Sequence, residues 1–132
     1  MPEVSLLATF LATVLSFVLG GLWYGPVFGK SWMRLVGVSG DTLRSRSNPA
    51  KTYGITFVLA FLASYVFGMF LGAHPGMALG LGAGASAGVC WVAASLWTND
   101  LFEGRRAALI FINGGFHAVR FTLIGLSFAL LG

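Results

Sequence analysis

Apolar residues run almost without interruption through four stretches of this chain, about 4 to 25, 51 to 72, 77 to 98 and 106 to 131, with polar and turn-forming residues collected between them. Each stretch matches the roughly 20 residues an α-helix needs to cross a hydrocarbon layer about 30 Å thick. The pattern predicts an all-α polytopic membrane protein, four transmembrane helices in one bundle, with residues 1–132 forming a single membrane domain. Gly25-Pro26 is expected to break the first helix. Ser47-Asn48-Pro49 offers an N-cap with proline in the first turn of the second, and His74-Pro75-Gly76 a reversal before the third, with His74 a solvated turn residue. Between the first two spans, Phe28 to Val36 puts Lys30 and Arg34 on one face and Trp32, Met33 and Val36 on another. That is a short interfacial helix lying on the membrane surface, ended by Gly37 and Gly40.

Within the spans, the polar and small positions are not scattered. Ser5, Thr9, Thr13, Ser16 and Gly20 share one face of the first helix, as a close-packing surface or a hydrated track. Gly80, Gly84 and Gly88 make a double small-xxx-small repeat in the third, which lets another helix backbone approach closely. The same run contains Gly80-x-Gly82-x-x-Ala85, but no strand precedes it, so a dinucleotide fingerprint is rejected. Trp23, Tyr24, Trp32 and Trp97 stand near span ends, where aromatic side chains anchor a helix at the interface.

Composition supports the membrane class: 57% of the 132 residues are hydrophobic and 9% charged, too apolar for a domain with a solvated surface. The start lacks a basic region and a cleavage site, so it reads as a retained helix. Cys90, the one cysteine, excludes an internal disulfide. The charges are one-sided. Lys30, Arg34, Arg44, Arg46 and Lys51 fall between spans one and two, and Arg105 and Arg106 between spans three and four. The positive-inside rule puts these basic loops, 26–50 and 99–106, in the cytoplasm and both termini outside. Topology accounts for the net charge of +4 without a nucleic-acid partner.

Arg120 is the exception, a charge near the middle of the fourth span, where it costs roughly 2.5 to 3.5 kcal/mol on insertion scales. Asn113, His117 and Arg120 recur at four and three residues, within about 60° of one another on a helix, and Ser127 continues the face. No carboxylate lies within a span. Asp100 and Glu103 have capping-box spacing in the second basic loop, Gly104 can end a turn there, and Glu103 is about 25 Å along the helix axis from Arg120. The stripe is a candidate site for a small anion or a lipid headgroup, in a non-enzymatic binding or permeation module. The alternatives are a self-satisfied packing network in an accessory subunit of a larger membrane complex, or axial ligation of a tetrapyrrole by His117 with Gly114 leaving room for the ring. No Ser/His/Asp set, metal cluster or phosphate loop is present to support an enzyme, and no cofactor is expected in the first reading. The bilayer and a homo-oligomer or membrane complex are the expected partners.

Gly-Gly-Leu-Trp-Tyr-Gly-Pro at 20–26, Phe-Gly-Lys-Ser-Trp at 28–32, Asn99-x-Leu-Phe-Glu103 and Asn113-x-x-x-His117, in that order, resemble the bacterial membrane family catalogued as domain of unknown function 1761. The resemblance covers nearly the whole chain. It implies a four-helix fold in the bacterial inner membrane and no established activity. The family tends to have Tyr before the last His, where this chain has Phe116, so a phenolic donor is missing from that position.

Overall fold

A computed structural model of the protein describes residues 4–37 and 48–132. Glu3, Gly40, Arg44, Arg46 and Ser47 lie outside the described residues. Four helices are long and apolar enough to cross a membrane: α1 (Leu6–Val27), α3 (Pro49–Leu71), α4 (Met77–Phe102) and α5 (Ala107–Leu131). The short α2 (Gly29–Val36) links the first two. Among the described residues there is no strand. At 1.5 Å per residue, the 25 residues of α5 span about 37 Å.

Local chemistry sets the ends. Ser5 caps α1 by accepting the Ala8 amide, and Asn48 caps α3 by accepting the Lys51 amide. Gly37 closes α2 in a left-handed conformation at φ 81°. Gly104, at φ 72°, ends α4 in a Schellman arrangement: its amide donates to the Leu101 carbonyl and the Arg105 amide donates to that of Asp100. Asp100 and Glu103 therefore sit in the closing turn of α4, and the capping-box reading of their spacing is corrected.

The expected break at Gly25-Pro26 is also corrected. The helix absorbs Pro26 in a π turn, Trp23–Val27, in which the Phe28 amide reaches the Trp23 carbonyl at 2.8 Å. A proline cannot donate to the carbonyl four residues back and crowds it, and the wider turn relieves both problems. Only Phe28 separates α1 from α2, and Gly29 makes this possible, since a Cβ there would lie 2.6 Å from the Tyr24 carbonyl oxygen.

Helix α5 is central, packing along α4 on one side and α1 on the other, while α3 packs mainly on α1. Ala8, Ala12, Phe67, Ala87, Phe121, Ile124 and Phe128 form the apolar core. The α1 face of Ala8, Thr9, Ala12, Thr13 and Ser16 is buried, and its hydroxyls donate to carbonyls of their own helix at 2.8 Å. It is a packing face. Gly80, Gly84 and Gly88 meet α5 at Gly125, Phe121 and Ala118, backbone against backbone. Positions four apart drift by about 40° around a straight α-helix. A second π turn, Ala87–Ala93, lets Gly88 and Ala93, five residues apart, both face α5, where Ala93 meets Gly114.

Ser5 Oγ donates to the Leu131 carbonyl at 3.1 Å, and His74 Nδ1 lies 2.8 Å from that of Gly132. Both chain ends therefore share one end of the bundle with the 72–76 turn, and exposed His74 ties that turn to α5. Lys30, Arg34, Lys51, Arg105 and Arg106 occupy the opposite, basic end. A Cβ at Gly80 would lie 2.6 Å from the Gly125 oxygen, and one at Gly88 2.8 Å from Ala118 Cα. Gly80→Ala and Gly88→Ala are each expected to lower the thermal midpoint in detergent, at a cost of about 1–3 kcal/mol. Gly82→Ala, with nothing within 4 Å of its added Cβ, is expected to leave the midpoint unchanged or raise it, because alanine favours helix over glycine by up to about 1 kcal/mol.

Candidate functional site

Asn113, His117 and Arg120 lie half-buried on one face of α5. Helix α1 supplies their neighbours. The Tyr24 hydroxyl donates to Asn113 Oδ1 at 2.8 Å, and Trp23 Nε1 donates to the Ile112 carbonyl at 2.8 Å. The Phe116 ring stands edge-on to Tyr24 at 5.3 Å and to His117 at 4.9 Å, close over Gly20. Arg120 Cζ lies 4.9 Å from the centroid of the Phe121 ring, which in turn meets Phe67 of α3 edge-on at 5.8 Å.

No hydrogen bond among the described residues joins Asn113, His117 and Arg120 to one another. His117 Nδ1 and Arg120 Nε are buried without a hydrogen-bond partner. Within the described residues the stripe is thus a row of side chains on one face, with Asn113 bonded to Tyr24 and no bond between its members. Ser127 continues the face but is fully buried and donates to the Leu123 carbonyl. The space beside Gly114 is taken by α4, where a Cβ added to the glycine would stand 3.4 Å from that of Ala93. Among the described residues no three His, Cys, Asp or Glu side chains converge to hold a metal.

The acids nearest in sequence are engaged elsewhere. Arg105 Nε bonds Glu103 Oε2 at 2.8 Å and lies 3.7 Å from Asp100 Oδ1. The Glu103 hydrogen bond, with the charge of both carboxylates, holds the Arg105 guanidinium above its ordinary pKa. Arg105 is exposed, so this cluster finishes the α4 turn and adds little stability.

The aromatic residues expected as anchors divide. Trp97 is 39% exposed and stands edge-on to Phe111. Trp32 is half-buried, edge-on to Tyr24. Trp23 and Tyr24 turn toward α5, and Tyr24 is the residue the sequence reading missed as part of the stripe. A signal for it exists: the inward series Ser5, Thr9, Thr13, Ser16, Gly20 continues by one more step of four to Tyr24. It supplies a phenol from α1 to Asn113.

Two cavities flank α2. One, about 490 Å³, is lined by Tyr24, Trp32, Met33 and Asn113, and opens the basic end of the stripe. The other, about 470 Å³, lies on the far side, against Trp23 and the first turns of α5.

Four helices long and apolar enough to span a membrane, with a polar face inside, define the class as a small polytopic helical membrane protein. The chain belongs to the family described as protein of unknown function (DUF1761), whose model matches residues 7–129. No curated protein and no solved structure matches the chain.

The Tyr24–Asn113 bond is expected to behave as an interhelical bond within a membrane, where coupling averages about 0.6 kcal/mol. A double-mutant cycle of Tyr24→Phe and Asn113→Ala, followed by unfolding in detergent, measures it. Strictly additive effects would show that the two side chains do not meet.

Proposed function

We propose that this protein is a non-enzymatic binding or permeation module for an anionic group, a small anion or a lipid headgroup, held by Arg120 with His117 and Asn113. One observation carries the reading: Arg120 Nε and His117 Nδ1 are buried in mid-span without a hydrogen-bond partner among the described residues. An unmet buried donor costs about 1–3 kcal/mol, more when charged, and a ligand oxygen at the guanidinium recovers that cost. The aromatic contact with Phe121 contributes about 2 kcal/mol or more when desolvated but offers no hydrogen-bond acceptor in the plane of the guanidinium.

The approach we infer is from the basic end. Asn113 lines the cavity beside Trp32 and Met33, and Arg120 lies seven residues, about 10 Å, deeper along the axis. By the positive-inside rule that end faces the cytoplasm of a bacterial inner membrane and both termini face outward.

A second reading, a subunit of a homo-oligomer or larger complex, is favoured by α3. Residues 51–59 are all exposed, and although Phe57 meets Phe10 and Phe17 of α1, much of the basic half of α3 is open to a neighbour. Gly54→Leu dissociates an assembly packed there, and a monomeric native protein in a bilayer disc removes this reading.

Titration calorimetry in detergent with inorganic phosphate and with dihexanoyl phosphatidylglycerol tests the first reading. Arg120→Gln is expected to abolish saturable binding, with helicity and elution volume unchanged. Binding of phosphate identifies a small-anion site, and binding of the lipid alone a headgroup site. An Arg120→Gln isotherm matching that of the native protein overturns the proposal.

A further inference from the structure

We propose a second, separate site: the groove between α2 and the first turns of α5 binds one anionic phospholipid of the leaflet at the basic end, its phosphate on Ser31 and Arg34 and an acyl chain along Phe111 and Gly115.

The amphipathic α2 sits between two cavities. Trp32 and Met33 face the one that opens on Asn113. Phe28, Ser31 and Leu35, spaced by three and four residues, line the other, with Arg34 at its rim. The adjacent aromatics of the first π turn divide in the same way, Tyr24 walling the first cavity and Trp23 the second. The second groove, about 470 Å³, falls within the roughly 300–1,000 Å³ typical of ligand sites.

Its chemistry is graded along the membrane normal. Arg34 is exposed at the interface, and Ser31 is half-buried one turn before it. Deeper, the walls are Trp23, Ile112 and Phe111, the last 62% exposed. The groove reaches Gly115, which is open because it carries no Cβ; one added there would stand 3.0 Å from the Trp23 ring. No carboxylate is among the described residues lining it. A cation at the headgroup level above an apolar trough complements a lipid that is negative at one end and hydrocarbon at the other. Arginine pairs with phosphate through two parallel hydrogen bonds, and the Ser31 hydroxyl adds a donor. Zwitterionic lipid brings its own cation to the same rim and is disfavoured there.

Lys30 provides the control. It is exposed on the same short helix but does not line the groove, so general attraction of the leaflet to basic residues weakens equally on loss of either charge. Native mass spectrometry of the full chain in detergent, titrated with dioleoyl phosphatidylglycerol or dioleoyl phosphatidylcholine, reads the site directly. The native protein is expected to retain one phosphatidylglycerol in preference to phosphatidylcholine. Arg34→Gln should weaken that adduct about tenfold or more, the loss expected for a direct hydrogen bond to a charged group. Ala108→Phe, at an exposed position on the groove wall, should weaken it by obstructing the chain. Lys30→Gln and Arg120→Gln should leave it unchanged. Equal losses in Lys30→Gln and Arg34→Gln, or equal retention of the two lipids, overturn the proposal. Loss of all retained phosphatidylglycerol in Arg120→Gln assigns the lipid to the stripe and also overturns it.

Discussion

The close approach of α4 to α5 is the contact on which the remaining geometry depends. Gly80, Gly84 and Gly88 present backbone to backbone at Gly125, Phe121 and Ala118. In a bilayer, where apolar side chains gain little by leaving lipid, such packing is a principal source of helix association. It fixes the rotation of α5. With Gly125 and Ala118 turned to α4, the face bearing Asn113, His117 and Arg120 turns toward α1. The π turn of α4 serves the same contact, since it brings Ala93 onto Gly114 after the α-helical glycine register has drifted away.

Most of the architecture was legible because it is written in long-range composition. Four apolar runs, a one-sided distribution of Lys and Arg and a glycine repeat are properties of many residues at once, and small local errors do not disturb them. What was not legible depended on single backbone events. Gly25-Pro26 has the chemistry of a break, yet a π turn carried the helix past it and turned Trp23 and Tyr24 onto α5. Asp100 and Glu103 have the spacing of a start signal, but Gly104 adopts a left-handed conformation and makes them part of an ending. In both places two outcomes use the same residue types, and the tertiary packing beyond them decides. The stripe itself was visible as spacing on one helix. Its partner Tyr24 was not, because an aromatic residue near a span end fits an interfacial anchor equally well.

The two π turns also lie at points where side-chain direction matters most. Such turns re-aim the residues that follow them and recur at functional sites. In α1 the turn sends neighbouring aromatics to opposite cavities, and α2 follows after a single residue, held close by Gly29 against the Tyr24 carbonyl. A surface helix attached so tightly cannot shift on the bilayer without moving Trp23 and Tyr24. Those two residues are in turn tied to α5, Tyr24 at Asn113 through one hydrogen bond and Trp23 at Ile112 through another.

Arg120 remains the costly element in this arrangement, and magnitudes narrow what can compensate for it. Insertion at mid-span costs roughly 2.5 to 3.5 kcal/mol, and the Phe121 ring returns about 0.5–1 kcal/mol where exposed and about 2 kcal/mol or more where desolvated. The buried Nε adds about 1–3 kcal/mol of unmet hydrogen bonding. Moving the guanidinium to a polar boundary is no remedy, because the basic end lies a dozen residues, about 18 Å, away along α5, well beyond the reach of one side chain. The acids Asp100 and Glu103 belong to that same basic end and are already engaged by Arg105. On the proposed reading a partner comes to Arg120, and the cavity that Asn113 lines with Tyr24, Trp32 and Met33 is the opening of the stripe at the basic end.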